Sequence, residues 1–292
     1  MLLLLSEVTG EVGRAILAEL ANQPVRVRAL LPTGAELPIQ APNIEVARCD
    51  GTGDERMLHQ AVEGVEAAFI ASAVSPQMAE SHLRFVAAAK AAGVQRIVQS
   101  SVVGADPKMC CARVLRWFGQ AETTAESSSI GITRLRSTNL LQHLLEFAPS
   151  IAQQGLIAGP FRTTLWNWVD ARDVGAVAAT ILRSSAHIGQ TYTVTGAESM
   201  NYPQIAERIG RVLEKPVRYA DITANEARGW LQRKGLSAVM IEAKLELWDA
   251  CASNLINVPA TSVVKDITGR EPRTLEQFVR DYRHRFVAAS VA

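Results

Sequence analysis

No run of apolar residues in this chain approaches the roughly twenty that a bilayer span needs. The leading "MLLLL" is also too short for the core of a secretory leader, and Ser6 and Glu7 follow it at once, so it is read as a strand. Cysteine is scarce. The four residues Cys49, Cys110, Cys111 and Cys251 show no C-x-x-C or Cys/His spacing, which argues against a structural zinc or a disulfide framework. The adjacent Cys110 and Cys111 are read as two ordinary thiols. Neither sign of charge prevails: 30 Lys+Arg against 29 Asp+Glu leave a formal +1. That balance gives no electrostatic reason for a nucleic acid or an anionic membrane as partner. There is no internal repeat and no low-complexity tract. The expectation is a soluble, cytoplasmic monomer or homodimer without a metal, whose partner is a hydrophobic small molecule.

What the chain has is apolar material in a regular order. Its 292 residues, 48% apolar and 20% charged, can bury a full core and suit one large domain or a two-layer catalytic unit with a cap. Short strands alternate with amphipathic helices for about two thirds of the length. "LLLLS" precedes "EVGRAILAELAN", where Val12, Ile16, Leu17 and Leu20 recur at helical spacing. "VRVRALL", "NIEVARCD", "EAAFIASA", "VQRIVQSS", "GITRLRS" and "QTYTVTG" are further strands. The helices between them include "DERMLHQAVEG", "PQMAESHLRFVAAAKAAG" and "ARVLRWFGQAETTAESS". Such alternation implies right-handed crossovers and a doubly wound parallel sheet covered on both faces. After residue 196 the pattern becomes mostly helical. Residues 1–155 and 171–196 are read as the sheet unit. Residues 156–170 and 197–292 are read as a smaller, mostly helical cap over the strand ends, where open α/β sheets bind ligands.

The turn after the first strand reads Glu7-Val8-Thr9-Gly10-Glu11-Val12-Gly13. With "VRAL", "AVEGVEAAFIAS", "AAKAAGVQRIVQSSVVGAD", "RWFGQAE", "WVDARDVGAVAATIL", "TYTVTGAESMNYPQIAERIG" and "ITGREPRTLEQFVRDY", in that order, the chain resembles the NmrA-like family of atypical short-chain dehydrogenases. The resemblance implies a Rossmann-like α/β fold, and activities that include NAD(P)H-dependent quinone and triphenylmethane reduction or redox sensing. The family turn is usually G-x-x-G-x-x-G, so Glu7 stands where glycine is usual. A carboxylate about 4 Å from a phosphate costs roughly 4 kcal/mol at an effective dielectric near 20, or about a thousandfold in affinity. The helix N-terminus offsets about 1 kcal/mol of that. Pro32 stands where NADPH-preferring relatives carry an arginine, and Phe118 where many carry a histidine; Glu122 is retained.

Gly10, Gly13 and Thr9 are therefore read as a vestigial phosphate turn. Glu7 is expected to take the phosphate's place by accepting the helix N–H bonds. Candidate catalytic groups are His143 and Asn139, read as one helix face, together with Glu122 and Ser101. Ser100, Phe118, Arg136, Trp166 and Trp168 are candidate substrate contacts, the two indoles on one side of a strand. Arg134 needs a carboxylate partner, with Asp170, Asp173 or Glu122 in reach, and Asp173 is expected to cap its helix. The leading functional expectation is a repurposed enzyme without cofactor that isomerises, cyclises or eliminates on a hydrophobic small molecule. The alternatives are an NAD(P)H-dependent reductase of a quinone-like or enone substrate, with weak NADPH or NADH binding, and a non-catalytic sensor.

Overall fold

A computed structural model describes residues 1–49, 55–126 and 128–287. In chain order the elements are β1 (Leu2–Leu5), α1 (Glu11–Leu20), β2 (Arg26–Leu31), β3 (Ile44–Arg48), α2 (Glu55–Val62), β4 (Ala67–Ile70), α3 (Met78–Ala91), β5 (Arg96–Val102), α4 (Arg113–Glu126), β6 (Gly131–Ser137), β7 (Asn139–Leu140) and a 3-10 helix (Leu141–Phe147). There follow α5 (Ala148–Gln154), β8 (Leu156–Gly159), β9 (Trp166–Val169), α6 (Ala171–Leu182), β10 (Thr191–Val194), β11 (Ser199–Met200), α7 (Tyr202–Leu213), β12 (Arg218–Asp221), α8 (Ala224–Arg233), α9 (Ala238–Ala252), α10 (Val263–Thr268), α11 (Leu275–Asp281) and α12 (Arg283–Phe286). The expected helix start at Asp54, the strand end at Asp50 and Ser127, next to last in the expected helix 112–128, lie outside the described residues.

Seven strands form one sheet in the order β10-β6-β5-β4-β1-β2-β3, every pair parallel. This is the doubly wound Rossmann-like architecture that the alternation predicts. The order reverses between β1 and β4, which opens a crevice at their carboxyl ends. β1 is leucine throughout and buried throughout, because helices cover both faces of the sheet. Ile16, Leu17 and Leu20 of α1 pack with Val174, Val177 and Ile181 of α6 on one face. Gly175 lets these two helices cross closely, since a Cβ there would meet the Ala15 Cβ at 2.4 Å. Leu58, Val62, Phe85 and Ala89 from α2 and α3 fill the other face.

A second core gathers the cap. Phe161, Tyr202, Ile205, Leu231, Trp248 and Phe278 meet there, and Leu141, Leu144, Phe147 and Ile151 join them rather than the large sheet. Val264 of α10 packs back among the α1 and α6 residues, so the tail is not wholly cap. The helix expected to run from Asn139 through His143 is absent: β7 pairs with β9, and a 3-10 helix follows. The helix starts in the cap are stiffened by capping boxes at Asn201, Thr223 and Thr274. Asp170, not Asp173, caps α6, accepting from the Arg172 N–H at 2.9 Å. Asp173 instead accepts from the Arg273 N–H at 2.7 Å and from the Arg273 guanidinium. The adjacent Cys110 and Cys111 are free thiols, as expected.

Candidate active site

Two concavities meet at the carboxyl ends of the strands. The first, of about 360 Å³, is a cleft over the ends of β1, β2 and β4, lined by Ser6, Glu7, Thr9, Pro32, Ser72 and Ala73 among others. Its floor is the β1–α1 turn. Glu7 takes φ +54°, the left-handed conformation that glycine adopts freely and that costs other residues about 1–2 kcal/mol. The backbone thus keeps a glycine's shape under a glutamate. Gly10 donates its N–H to the Glu7 carbonyl at 3.0 Å, and the Arg14 Nε donates to the Thr9 carbonyl at 2.8 Å. Gly13 packs directly on the turn: a Cβ there would lie 2.2 Å from the Glu7 carbonyl oxygen.

The glutamate side chain bends back over the turn, its Cγ 3.3 Å from where a Gly10 Cβ would stand. It does not do what the sequence reading expects of it. No side chain caps α1, and among the described residues the Glu7 carboxylate accepts no bond from the helix N–H groups. Those amides stay free to receive an anion. The carboxylate is partly desolvated by the cleft walls, and this burial raises its pKa above the ordinary value. The residues therefore fit a dinucleotide diphosphate: a helix N-terminus without a cap, two glycines in close packing and a hydroxyl rim, with one carboxylate in opposition.

The second concavity lies between the sheet ends and the cap. Its first lobe, about 280 Å³, is lined by Ser100, Ser101, Phe118, Asn139, His143 and Trp166 among others. A second lobe of similar volume adds Phe147, Phe161, Trp168, Tyr202, Lys244 and Trp248. The β4–α3 loop joins cleft and cavity: Ser72, Ala73 and Ser75 face the cleft, and Val74 faces the cavity. The aromatic wall is rigid. Trp166 and Trp168 lie on one side of β9, as the spacing predicts, with ring centroids 6.0 Å apart and planes at 24°. Their Nε1 groups donate to the carbonyls of Cys251 (3.2 Å) and Met200 (3.1 Å), which fixes both indoles. The Tyr202 ring stacks on Phe161 at 3.9 Å.

The polar candidates divide. His143 and Asn139 come together on the cavity wall even though the helix expected to bring them there does not form. The His143 side chain is exposed on the cavity wall, and desolvation by the surrounding protein lowers its pKa below the usual histidine value. Ser101 is buried, and its hydroxyl donates to Glu122 Oε1 at 2.6 Å. Glu122 is not a free acid or base. Arg136 grips it through Nε to Oε1 at 2.8 Å and Nη2 to Oε2 at 2.5 Å, and neither residue lines the cavity. Arg136 is thus occupied by Glu122 rather than exposed to a substrate. Arg134 pairs with Glu126 at 3.0 Å, with Glu122 Oε2 further off at 3.9 Å; Asp170 and Asp173 are bound elsewhere.

Three residues escaped the sequence reading. Tyr202 is buried and lines the second lobe, and its hydroxyl has no hydrogen-bond partner among the described residues; burial raises its pKa well above that of a free tyrosine. Phe161 sits in a loop with no periodicity to mark it. Cys251 lines both lobes, and burial pushes its thiol up to about 12, so it stays protonated and is no nucleophile. Only the aromatic content of the cap helices could have pointed to this wall.

A parallel doubly wound sheet with a glycine turn and a helix N-terminus without a cap defines a Rossmann-like α/β fold. The NmrA-like family model matches residues 2–278, and the chain belongs to that family. It is 28% identical over 282 residues to an NAD(P)H azoreductase of Xenophilus azovorans, covering 96% of this chain and 98% of that one. It is 27% identical over 290 residues to a (4-alkanoyl-5-oxo-2,5-dihydrofuran-3-yl)methyl phosphate reductase of Streptomyces griseus, covering 98% and 99%. The fold matches the NADPH complex of the Escherichia coli NADPH-dependent quinone oxidoreductase with a TM-score of 0.83 at 23% identity, over 96% and 99% of the two chains. These findings overturn two expectations. Relatives matched along nearly their whole length are named reductases, one for NAD(P)H, which contradicts both a cofactor-free isomerase, cyclase or lyase and the absence of a coenzyme. Among the described residues no helix is long and apolar enough to cross a membrane, and no cluster of metal-ligating side chains occurs.

Proposed function

We propose that this protein is an NAD(P)H-dependent reductase of flat, hydrophobic acceptors of the quinone, azo or enone kind. The observation that carries the reading is the adjacency of the two concavities: a cleft beside a helix N-terminus without a cap lies on one side of the Ser72–Ser75 loop and an aromatic cavity on the other. The names of the curated relatives support it. In this reading the N–H groups of Glu11, Val12 and Gly13 and the Thr9 hydroxyl would hold the diphosphate, and the bound coenzyme would supply a hydride. Trp166, Trp168 and Phe118 hold the acceptor face-on. Hydrogen-bond donors then stand around its heteroatoms: Tyr202, which keeps its phenolic proton, the neutral His143, and the Asn139 amide. Ser100 stands at the rim. Ser101 is positioned by Glu122, itself fixed by Arg136, so that its oxygen presents lone pairs to the cavity.

The test is acceptor-dependent loss of the nicotinamide absorbance with a panel of quinones, azo compounds and enones. Saturable turnover that Trp166→Ala weakens chiefly through KM supports the reading. Tight ligand binding in the cavity with no coenzyme oxidation by any acceptor would refute it and leave a sensor.

A further inference from the structure

We infer that the cleft is built for the dinucleotide without a 2′-phosphate, NADH, and that Pro32 is the residue that decides it; this rests on the reductase reading above. A 2′-phosphate adds about two negative charges and is ordinarily met by an arginine just beyond the second strand. Here β2 ends at Leu31, and the next residue, on the cleft wall, is Pro32. Among the described residues that line the cleft there is no lysine and no arginine. What lines the cleft is hydroxyls (Ser6, Thr9, Ser72, Ser75 and Ser81), apolar groups and the Glu7 carboxylate.

The nearby cations are committed elsewhere. Arg28 donates to Glu45 Oε1 at 2.7 Å and to the carbonyls of Ala61 and Glu63, both at 2.8 Å. Arg48 comes nearest: it pairs in register with Leu31, and its Nη1 donates to the carbonyls of Pro32 (2.9 Å) and Ala35 (2.5 Å). That guanidinium straps the loop from outside. It lines a surface recess at the sheet edge with Glu36, Leu37 and Gln40, not the cleft. Arg14 is tied to the Thr9 carbonyl, at the diphosphate end. A ribose with a free 2′-hydroxyl can be satisfied by hydroxyl and carbonyl groups; a 2′-phosphate would stand in a field already negative.

Fluorescence titration of the intact protein with NADH and with NADPH decides this without any turnover. The expected result is a Kd for NADH at least about tenfold below that for NADPH. Pro32→Arg should narrow or reverse that ratio, and Arg48→Ala should shift both constants alike. NADPH bound as tightly as NADH, or Arg48→Ala weakening NADPH alone, would overturn the inference while leaving the reductase reading intact. Binding of neither coenzyme would overturn the reductase reading itself, and the inference with it.

Discussion

Replacing Glu7 separates two effects of one side chain on the β1–α1 turn, strain and charge. Its φ of +54° costs about 1–2 kcal/mol for a residue with a Cβ, which glycine escapes, while the freer unfolded chain of a glycine takes back up to ~1 kcal/mol. Glu7→Gly should therefore leave stability unchanged or raise it by up to about 1 kcal/mol, a Tm rise of at most about 2 °C. The charge acts on the ligand. At about 5 Å two unit charges repel by ~0.8 kcal/mol in water and by ~3 kcal/mol at an effective dielectric of 20. A carboxylate at the mouth of a cleft falls between, so its removal should tighten coenzyme binding by about 5–30-fold. Glu7→Gln removes the charge and keeps the strain: it should give most of the affinity gain with no gain in Tm. Because burial raises the Glu7 pKa, wild-type affinity should fall as pH rises through that raised value, and both variants should lose this dependence. Titration of NAD⁺ by calorimetry across mildly acid to neutral pH, with thermal melts alongside, checks all three points. Unchanged affinity in both variants would refute the electrostatic argument. A melt lowered in Glu7→Gly but not in Glu7→Gln would refute the strain argument.

Other consequences follow from the same packing. His82 is buried with its pKa lowered to about 4, its Nδ1 against Gln99 Nε2 at 3.0 Å. The unfolded chain binds the extra proton between about 4 and 6.5, so stability is intact at neutral pH and falls on acidification through that window, by about 3 kcal/mol in full. Urea unfolding at neutral pH and near pH 4 should show this, with a shallower fall in His82→Leu. Gly13→Ala places a methyl 2.2 Å from the Glu7 carbonyl oxygen and should cost about 1–3 kcal/mol, read as a lowered urea midpoint. Trp166→Phe keeps apolar bulk but loses the indole N–H bond and part of the stack on Trp168; kcat/KM for aromatic acceptors should fall about 2–10-fold, mostly through KM.

The sheet was legible because parallel strands buried on both faces must be apolar throughout, as β1 and β4 are, and the helices between them carry a helical period. The short elements near the cavity were not. "STNLLQHLLEF" has the apolar spacing of a helix, yet β7 is drawn off by pairing with β9 and only a 3-10 turn remains. His143 and Asn139 still meet, because a bend can bring together what a helix face would have aligned. Ser101, Phe118 and the tryptophan pair line the cavity, where strand register and helix face had pointed. Arg136 and Glu122 were misjudged as free groups because the sequence does not say that they lie opposite each other across β6 and α4. The same limit applied at Glu7. Its charge was visible in the sequence, but not the direction of its side chain, which leaves the helix amides unbonded rather than capped. The aromatic wall comes from separate segments, Phe161, Trp166, Tyr202 and Trp248, that share no local pattern.

Hydride delivery from a dinucleotide in the cleft to an acceptor against Trp166 is the claim on which the rest stands. It is tested most directly with NADH deuterated on one or the other face of nicotinamide C4, followed by stopped-flow with a quinone or azo acceptor. The account predicts acceptor-dependent oxidation with a primary isotope effect for one face alone. Conversion of the acceptor with no coenzyme consumed would contradict it.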